Sequence, residues 1–578
     1  MTDATATISL CPQREALLDA GGHLLVRGGP GSGKTTIALL KADAEVRQNK
    51  LEAEQQALFL SFARATTARV MEQARAVVQR STLGSLVVNT YHGFAWSLIQ
   101  SYGYLITGRR VLHLLPPPEA AVRLSGMPKS AHHSELRRLL AEEGLLGFDL
   151  FAGLAADVLE RSPRVAGLVG DNYPLVILDE FQDTNSDEWR MVSALGKYTS
   201  IVALADPDQR IYEFRGADPA RIAELITLFN PRVFDFGTEN NRSSGTDITT
   251  YGNDLLAGVH RGKAYKNVRV SRYNYDGGEA LISVKYAVLA AISRLVKAHE
   301  KGQWSVAVLV SSKRFMLEVS GYLSTTSDRA KAIHHDVLLD PEGPALAATL
   351  IAGLLEGAAS HEALANRLTA DLISHMRGRN GGNPSQADLK LSAALAGYLE
   401  VGKIRGSARS GLVDTIKQVA TQCMALTPDG NPESDWLAVR RVLLAAQHDK
   451  LKLVGEDARF LRLLNRGALL RETLAEQWRL RGDYSDASGI VSAALLQEHF
   501  SSSTRSWTGV NLMTIHKSKG KEFDEVVIFE GSRRGRLLRG DATDKDTAQA
   551  VLALRVGVTR AKSRVTIVTP DWDPCPLL

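Results

Sequence analysis

Short apolar runs that alternate with helical patterns constrain the fold of this chain more than any other feature. Each run is rich in Leu, Val and Ile and has the length of a buried strand rather than of a helix. Alternation of strands with helices predicts a parallel sheet that is covered on both faces. An early set of runs reads GHLLVRG, QALFLSF, SLVVNT, PLVILDE and SIVALA, and a late set occupies residues 305–312, 510–516, 524–531 and 563–570.

The two sets of strands divide the chain into two α/β modules. A chain of 578 residues is too long for one hydrophobic core. Residues from about 340 to 500 are rich in Ala and Leu at helical spacing, and a smaller helical block interrupts the first module. We therefore predict an α/β fold with two parallel-sheet cores, each interrupted by a helical insertion. The predicted bounds are 1–94 and 165–235 for the first core, 95–164 for its insertion, 236–340 and 500–578 for the second core, and 341–499 for its insertion.

Composition argues against several classes of protein. The chain is 44% hydrophobic and 23% charged, as in ordinary globular proteins, and its net charge of +5 permits nucleic-acid binding without requiring it. Cys11, Cys423 and Cys575 are far apart, which argues against a disulfide framework and a cysteine metal site. The N-terminal MTDATATISL lacks the pattern of a signal peptide, and no apolar run reaches the roughly 18 residues that a membrane span needs. We therefore expect a cytoplasmic protein.

Residues 28–35 read GGPGSGKT and lie between an apolar run and a helical pattern. This is the spacing and the context of a phosphate-binding loop, G-x-x-x-x-G-K-[ST]. Backbone N–H groups of such a loop surround phosphate oxygens, and the following helix N-terminus adds positive potential. Lys34 is expected to reach the β- and γ-phosphates of ATP, and the Thr35 hydroxyl is expected to bind Mg²⁺. The predicted ATP-binding residues here are Gly28, Gly29, Pro30, Gly31, Ser32, Gly33, Lys34, Thr35 and Thr36.

Asp179 and Glu180 directly follow the apolar run LVIL. Asp179 suits the Mg²⁺ shell, and Glu180 suits the positioning or deprotonation of an attacking water. Gln13 precedes the first strand, where its amide can read the adenine edge through a paired donor and acceptor. These residues complete a predicted ATP hydrolysis site.

Aromatic and polar residues follow several of the predicted strands. Phe62 lies in SFARATTARV and His92 lies in NTYHGFAW, and both segments combine hydroxyls or Arg with rings. Hydroxyl groups and Arg can bind phosphates, and aromatic rings can stack on bases. The residues that follow these strands therefore predict a groove for a nucleic-acid strand. DPDQRIYEFRG, at 206–216, places Tyr212 and Phe214 beside a glutamine. These two rings are either core residues or a stacking surface.

The motifs stand in a fixed order along nearly the whole chain. They are PQR (12–14), GGPGSGKTT (28–36), LSFAR (60–64), TYHGF (90–94), LDEFQDTN (178–185), DPDQRIYEFRGAD (206–218), ENNRSS (239–244), LMTIHKSKGKEFDEVV (512–527) and VTRAKSR (558–564). This ordered set resembles the UvrD/Rep-type superfamily 1 DNA helicases. The resemblance covers both cores, whereas the helical insertions match by position alone. It implies two RecA-like cores that use ATP and Mg²⁺ to move 3′→5′ along single-stranded DNA and to open DNA junctions.

The resemblance also implies roles for individual residues. Gln209 would sense the γ-phosphate, and Tyr212 and Phe214 would contact or stack on bases. Arg242 and Arg560 would compensate charge on the γ-phosphate across the cleft. With Lys34, Asp179 and Glu180 these two arginines and Gln209 form the predicted catalytic set. Glu522 would lie near the ribose, and Thr514, His516 and Lys519 would contact DNA or the coupling network.

Two motifs depart from the family pattern. ENNRSS has Asn241 where the family usually has the Tyr of NYRS, which stacks on adenine, so nucleotide selectivity is in question. RVGVTRA, at 555–561, replaces the usual YVALTRA but keeps Thr559 and Arg560. The compact size also resembles the helicase component of phage-defence systems such as Gabija, which work with a nuclease partner.

Three functions remain open from the sequence. The first is an ATP-dependent DNA translocase and helicase in DNA repair or antiviral defence. The second is a nucleotide-gated ATPase subunit that regulates a partner nuclease and unwinds weakly alone. The third is an RNA helicase, because contacts to the 2′-OH cannot be identified from the sequence.

Overall fold

Two parallel six-stranded sheets form the framework of the protein in the computed structural model. The predicted α/β fold class with two parallel-sheet cores is thereby confirmed. The structure describes residues 10–48, 50–52, 54–62, 64–209, 218, 220–237, 242–274, 277–300, 302–326, 330–338, 342–460, 468–500, 507–532, 534–538 and 540–578.

All nine predicted apolar runs form strands, so their Leu- and Val-rich composition was a sound signal. Strands that the sequence analysis did not predict are short or carry charged residues within them, as in RVFD and VRVSRY. The described strands, in chain order, are β1 (Leu24–Arg27), β2 (Ala57–Ser61), β3 (Leu86–Thr90), β4 (His113–Leu115), β5 (Leu145–Gly147), β6 (Leu175–Leu178), β7 (Ser200–Ala205), β8 (Arg232–Asp235), β9 (Val268–Tyr273), β10 (Ser305–Val310), β11 (His335–Val337), β12 (Gly509–Thr514), β13 (Phe523–Phe529) and β14 (Ala561–Pro570).

Helices separate most of these strands. Several begin at side chains that satisfy free backbone N–H groups: the Asn185 side chain accepts from the Glu188 N–H while Glu188 accepts from the Asn185 N–H, and Thr543 and Asp546 do the same. The described helices are α1 (Pro12–Asp19), α2 (Lys34–Arg47), α3 (Arg64–Val77), α4 (Tyr91–Tyr102), α5 (Tyr104–Thr107), α6 (Pro117–Leu124), α7 (Lys129–Glu143), α8 (Phe151–Arg161), α9 (Pro163–Asn172), α10 (Ser186–Leu195), α11 (Arg221–Phe229), α12 (Ile248–Leu256), α13 (Gly277–Ala298), α14 (Lys313–Leu323), α15 (Glu342–Glu356), α16 (His361–Gly378), α17 (Gln386–Val401), α18 (Ser407–Met424), α19 (Pro432–Ala445), α20 (Asp449–Asp457), α21 (Ala468–Arg481), α22 (Ala487–Phe500) and α23 (Asp544–Val558).

The first sheet has the strand order β3-β2-β6-β7-β1-β8. Its strands are parallel, and the register pairs Leu24 of β1 with Val202 of β7 and Leu58 of β2 with Val176 of β6. Because every strand runs in one direction, all carboxyl ends meet at one edge. The segments 28–33, 179–183 and 206–209 leave the sheet at this edge.

The second sheet has the strand order β11-β12-β10-β13-β14-β9 and is also parallel. Its core includes Leu309, Met513, Ile528 and Ile567, which are fully buried. The first sheet has an equivalent core around Val26, which packs in one cluster with further residues of β2, β6 and β7. The sheets are therefore stabilised mainly by burial of apolar strand residues.

Contacts within the chain define two compact units. One comprises residues 1–106, 152–338 and 502–578 and contains both six-stranded sheets. The other comprises 107–151 and 339–501, and it has a helical core together with the short parallel pair β4–β5. The predicted division into four parts remains a proposal. Within the described ranges no helix is long and apolar enough to cross a membrane.

Candidate active site

The loop between β1 and α2 curls tightly at the carboxyl edge of the first sheet. Gly31 and Gly33 have φ of 78° and 85°, in the left-handed region that favours glycine. A Cβ on Gly28 would lie 2.6 Å from Ser32 Oγ and 3.1 Å from Phe236 Cβ, so side-chain-free backbone is needed here as well. The predicted phosphate-binding loop therefore has the curled backbone that the motif requires.

Lys34 lies at the start of α2 and turns back onto this loop. Its Nζ donates to the carbonyl oxygens of Gly28 at 2.5 Å and Gly29 at 3.0 Å. Burial lowers the pKa of Lys34, while the negative charges of nearby carboxylates, led by Asp206, act in the opposite direction. Ser32 Oγ is buried without a hydrogen-bond partner in the structure. A buried hydroxyl and a lysine inside a glycine-rich loop suit the oxygen atoms of a bound phosphate.

Asp179 and Glu180 follow β6 at the same edge. Burial, together with the charge of Glu180, raises the pKa of Asp179 to about 7, although Lys34 acts to lower it. Burial alone would also raise the pKa of Glu180, but Lys519, Lys34 and Arg560 lower it below its ordinary value. Glu180 has a φ of 52°, an uncommon conformation for a non-glycine residue. Such strain costs about 1–3 kcal/mol and is typical of functional sites.

A series of hydrogen bonds, three between side chains and one from a backbone N–H, joins Glu180 to Arg560 of the second core. Arg560 Nη2 donates to Gln209 Oε1 at 3.0 Å, and Gln209 Nε2 donates to Asp206 Oδ2 at 2.7 Å. The Asp206 backbone N–H donates to Gln182 Oε1 at 3.0 Å, and Gln182 Nε2 donates to Glu180 Oε2 at 2.6 Å. We call this series the Arg560–Glu180 chain. It contains Gln209, Arg560 and Glu180 from the predicted catalytic set.

Glu522 forms a second connection between the two sheets. It accepts from Arg242 Nε and from Arg69 Nη2, the latter at 2.5 Å. Burial would raise the pKa of Glu522, but Arg242 and Arg69 outweigh it and lower the pKa to about 2. Arg242 Nη1 also donates to Thr559 O at 3.1 Å. Glu522, which was predicted to lie near the ribose, is therefore paired with Arg242, one of the two arginines predicted to compensate charge on the γ-phosphate.

Lys519 forms a third connection. Its Nζ pairs with Asp183 Oδ2, donates to Gln209 O at 2.6 Å and lies 3.7 Å from Glu180 Oε2. Lys519 follows β12, whereas the other three residues belong to the first core. Lys519 thus contacts the predicted catalytic residues directly, which is compatible with the coupling role that the resemblance implies.

One cavity of about 290 Å³ lies where these segments meet. It is lined by predicted site residues of both cores. The first and last of these residues, Pro30 and Arg560, are more than 500 residues apart in the sequence. The predicted residues that line it are Pro30, Gly31, Ser32, Gly33, Lys34, Thr35, Thr36, Asp179, Glu180, Gln209, Arg242, Glu522 and Arg560.

The cavity also contains residues to which the sequence analysis assigned no role. Arg69, Gln73 and Thr66 line it from α3, and Asp206 lines it from the end of β7. Arg69 could have been identified as a second arginine in a segment that leaves a strand end. No comparable signal exists for Gln73, since polar residues on a helix are usually exposed.

Three predicted ATP-binding residues do not line the cavity. Gly28 and Gly29 hold the Lys34 ammonium through their carbonyl oxygens. Gln13 Nε2 donates to Asp235 O, at the end of β8, at 2.9 Å. Its predicted contact with adenine stays a prediction.

Of the predicted DNA-binding residues, the four that the structure describes, Phe62, His92, Thr514 and His516, do not line this cavity. The Phe62 ring packs against Tyr91 with a centroid distance of 4.7 Å, and His92 lies in the first turn of α4. Thr514 ends β12, and His516 lies in the following 3₁₀ turn, where burial lowers its pKa. The remaining predictions of this kind, Tyr212 and Phe214, lie outside the described residues, as does Asn241.

Cation binding would depend on the phosphate loop and the β6 end. In the part of the chain that the structure describes, no three His, Cys, Asp or Glu residues form a metal-binding group. Thr35 and Asp179 nevertheless line the same cavity. Mg²⁺ typically takes one or two protein oxygens together with substrate phosphates and waters, so this sparse donor set fits it.

Comparison with known proteins shows which families the chain is similar to. The UvrD/REP helicase N-terminal domain family matches residues 11–115 and 127–230. Over these residues the chain is similar to the UvrD/Rep-type superfamily 1 helicases. A probable DNA helicase II homolog of Rickettsia conorii is 21% identical to this chain, with 96% of the chain and 91% of the homolog aligned.

Other relatives match over part of their length. ATP-dependent DNA helicase UvrD1 of Mycobacterium leprae is 23% identical over 42% of the chain and 39% of that protein. The Gabija protein GajB of Bacillus cereus is 26% identical over 42% of the chain and 48% of that protein. In these two cases the matching region spans less than half of the relative.

Proposed function

We propose that this UvrD/Rep-type protein is an ATP-dependent DNA helicase that translocates 3′→5′ along one strand. The observation that carries the proposal is the cavity in which predicted catalytic residues from both sheets meet. A site assembled from two cores can close when ATP binds and reopen after hydrolysis. This cycle of closing and opening would move the protein along the DNA strand. The DNA helicase relatives support DNA as the substrate.

The residues of the cavity suit phosphoryl transfer to water. The loop N–H groups, Lys34 and the Ser32 hydroxyl would hold the phosphates, and Thr35 with Asp179 would hold Mg²⁺, which neutralises charge on the phosphate oxygens. Glu180 has a lowered pKa and is therefore ionised at neutral pH, as a group that orients or deprotonates water must be. Arg560 and Arg242 would stabilise the charge of the transferred group.

Coupling to DNA would run through Lys519 and Gln209. Lys519 contacts Asp183, Glu180 and the Gln209 carbonyl, so a shift of the 515–519 segment on DNA binding would be transmitted to the catalytic carboxylate. The Gln209 side chain contacts Arg560 at the same time. These contacts support a site whose activity responds to DNA.

The first test is steady-state ATP hydrolysis by the purified chain with single-stranded DNA, single-stranded RNA or blunt duplex. Strong stimulation by single-stranded DNA, lost in Lys34→Ala, is expected. Lys50→Ala is the matched control, because Lys50 is exposed and pairs only loosely with Glu45 at 3.4 Å. Unwinding of duplexes with 3′ or 5′ single-stranded tails then tests direction. Unwinding by Lys34→Ala at the wild-type rate would contradict the proposal.

A second candidate is a nucleotide-gated ATPase subunit that regulates a partner nuclease in DNA repair or phage defence. The similarity to a Gabija protein over 42% of the chain favours it. ATP hydrolysis without strand separation by the isolated chain would support this candidate. Efficient unwinding by the isolated chain would argue against it. Stimulation by RNA alone would instead support an RNA helicase.

A further inference from the structure

Arg555 is a buried arginine that no motif-based prediction identified. It lies on α23, five residues before Arg560, and is 2% exposed. Its Nη1 donates to Asp208 O at 3.1 Å and lies 3.8 Å from Asp206 Oδ1. Its Nη2 donates to Asn253 Oδ1 at 3.1 Å. One side chain of the second core therefore holds both ends of a short segment of the first core.

The packing around Arg555 is tight enough to orient it. α12 and α23 approach closely at Gly252, where an added Cβ would lie 3.4 Å from Arg555 Cγ and 3.3 Å from Thr559 Cγ2. This approach brings the neighbouring Asn253 amide within hydrogen-bond distance of the guanidinium. A side chain fixed by its own core can position a segment of the other core.

This position distinguishes the chain from its family pattern. The motif RVGVTRA has Arg555 where the usual YVALTRA has Tyr. A tyrosine hydroxyl offers one donor and no charge, whereas a guanidinium offers five donors and a permanent positive charge. Only the guanidinium can contact the Asp208 carbonyl, the Asp206 carboxylate and Asn253 together.

We propose that Arg555 is a positioning residue for ATP hydrolysis, which holds residues 206–209 so that Gln209 stays between Asp206 and Arg560. Asp206 is the central member of the Arg560–Glu180 chain, because its side chain accepts from Gln209 and its N–H donates to Gln182. Arg555 neutralises the same carboxylate from the other side. The inference rests on the proposed ATPase function, but the docking of the segment can be measured without it.

Arg560 contacts the Gln209 side chain, and Arg555 contacts the segment that carries it. Without Arg555, the buried Asp206 side chain loses a neighbouring cation, so the segment is expected to shift. A small misplacement of a catalytic contact lowers the turnover rate by up to roughly 100-fold. ATP binding should change little, since Arg555 itself does not line the cavity.

The test uses Arg555→Gln and Arg555→Lys in the full chain. Arg294→Gln is the matched control, because Arg294 is also a second-core arginine in a two-bond pair, with Glu525 at 2.9 and 2.7 Å, and it does not line the cavity. Two quantities are measured: amide hydrogen exchange at Asp206, Asp208 and Gln209 without nucleotide, and kcat and KM for ATP with single-stranded DNA.

For Arg555→Gln we expect faster exchange at the three amides and a kcat lowered roughly 10- to 100-fold with KM little changed. Arg555→Lys keeps the charge and should be intermediate, and it replaces Arg555→Gln if that variant does not fold. Unchanged exchange, or a kcat equal to that of Arg294→Gln, would overturn the inference. If the wild type hydrolyses no ATP, the proposed function fails, and the exchange measurement still decides whether Arg555 holds the segment.

Discussion

Replacement of Lys519 by Met removes the cation from a deeply buried ion pair at the candidate site. The Lys519 and Asp183 side chains are 4% and 1% exposed. Lys519 also donates to Gln209 O at 2.6 Å. Methionine preserves the apolar volume of the side chain, so the change isolates the charge and its hydrogen bonds. Lys519→Met leaves Asp183 buried with its cation gone.

The expected loss of unfolding free energy is about 3–5 kcal/mol, which is typical when one partner of a buried pair is removed. Lys263→Met is the matched control. Lys263 pairs with Asp254 at 2.7 Å but is 49% exposed, and exposed pairs contribute at most about 1 kcal/mol. Equilibrium urea unfolding of both variants at pH 7.5, followed by circular dichroism, gives the difference.

The pH dependence provides an independent readout. Burial raises the pKa of Asp183 to about 7 even though Lys519 opposes it, so loss of Lys519 raises this pKa further. A buried carboxyl with a raised pKa is neutral at low pH and becomes destabilising as pH rises through that pKa. The deficit of Lys519→Met should therefore be larger at pH 8 than at pH 6, and Asp183→Asn in the same chain should recover part of it. Equal losses for Lys519→Met and Lys263→Met would refute this reasoning.

Two further predictions concern Glu522 and the phosphate loop. Because the arginines lower the pKa of Glu522 to about 2, its ionised form should contribute roughly 3 kcal/mol of stability above about pH 4.5, and this contribution should be lost as the pH falls toward 2. The difference in unfolding free energy between wild type and Glu522→Gln, measured by urea unfolding from pH 7 to pH 3, should therefore shrink as the pH falls. A difference that stays constant over this range would contradict the prediction. Gly28→Ala should lower stability by about 1–3 kcal/mol, since its Cβ would overlap Ser32 and Phe236. Gly29→Ala, whose Cβ would lie 3.7 Å from the nearest atom, Gly237 O, should be milder in the same thermal unfolding measurement, and equal losses would argue against the overlap.

The parallel sheets were predictable because each central strand is a continuous apolar run. β6 is LVIL and β10 is SVAVLV, and both are buried on both faces. β8 and β9 were missed because RVFD and VRVSRY place charged residues on partly exposed edge strands. The pair β4–β5 was missed because three residues give no measurable periodicity.

The candidate site was predictable where a motif fixes a residue next to a strand end. Asp179 directly follows β6, and Lys34 lies a few residues after the end of β1. Because both strands run in the same direction, the two residues meet at the same edge of the sheet. Arg555 and Gln182 act through contacts between distant segments, and only the folded chain shows them. A charge within the apolar VLALRVGV was the available signal for Arg555, since a buried arginine needs partners.

The Arg560–Glu180 chain has a consequence for how the two cores communicate. Every bond in it donates in one sense, from Arg560 through Gln209, Asp206 and Gln182 to Glu180. Each glutamine amide uses its oxygen on one side and its nitrogen on the other, so turning either amide over would break two bonds at once. Dipoles aligned in this way polarise one another. A bound phosphate that interacts with the Arg560 guanidinium would therefore change the basicity of Glu180 through polarisation of these hydrogen bonds, even before any backbone segment moves.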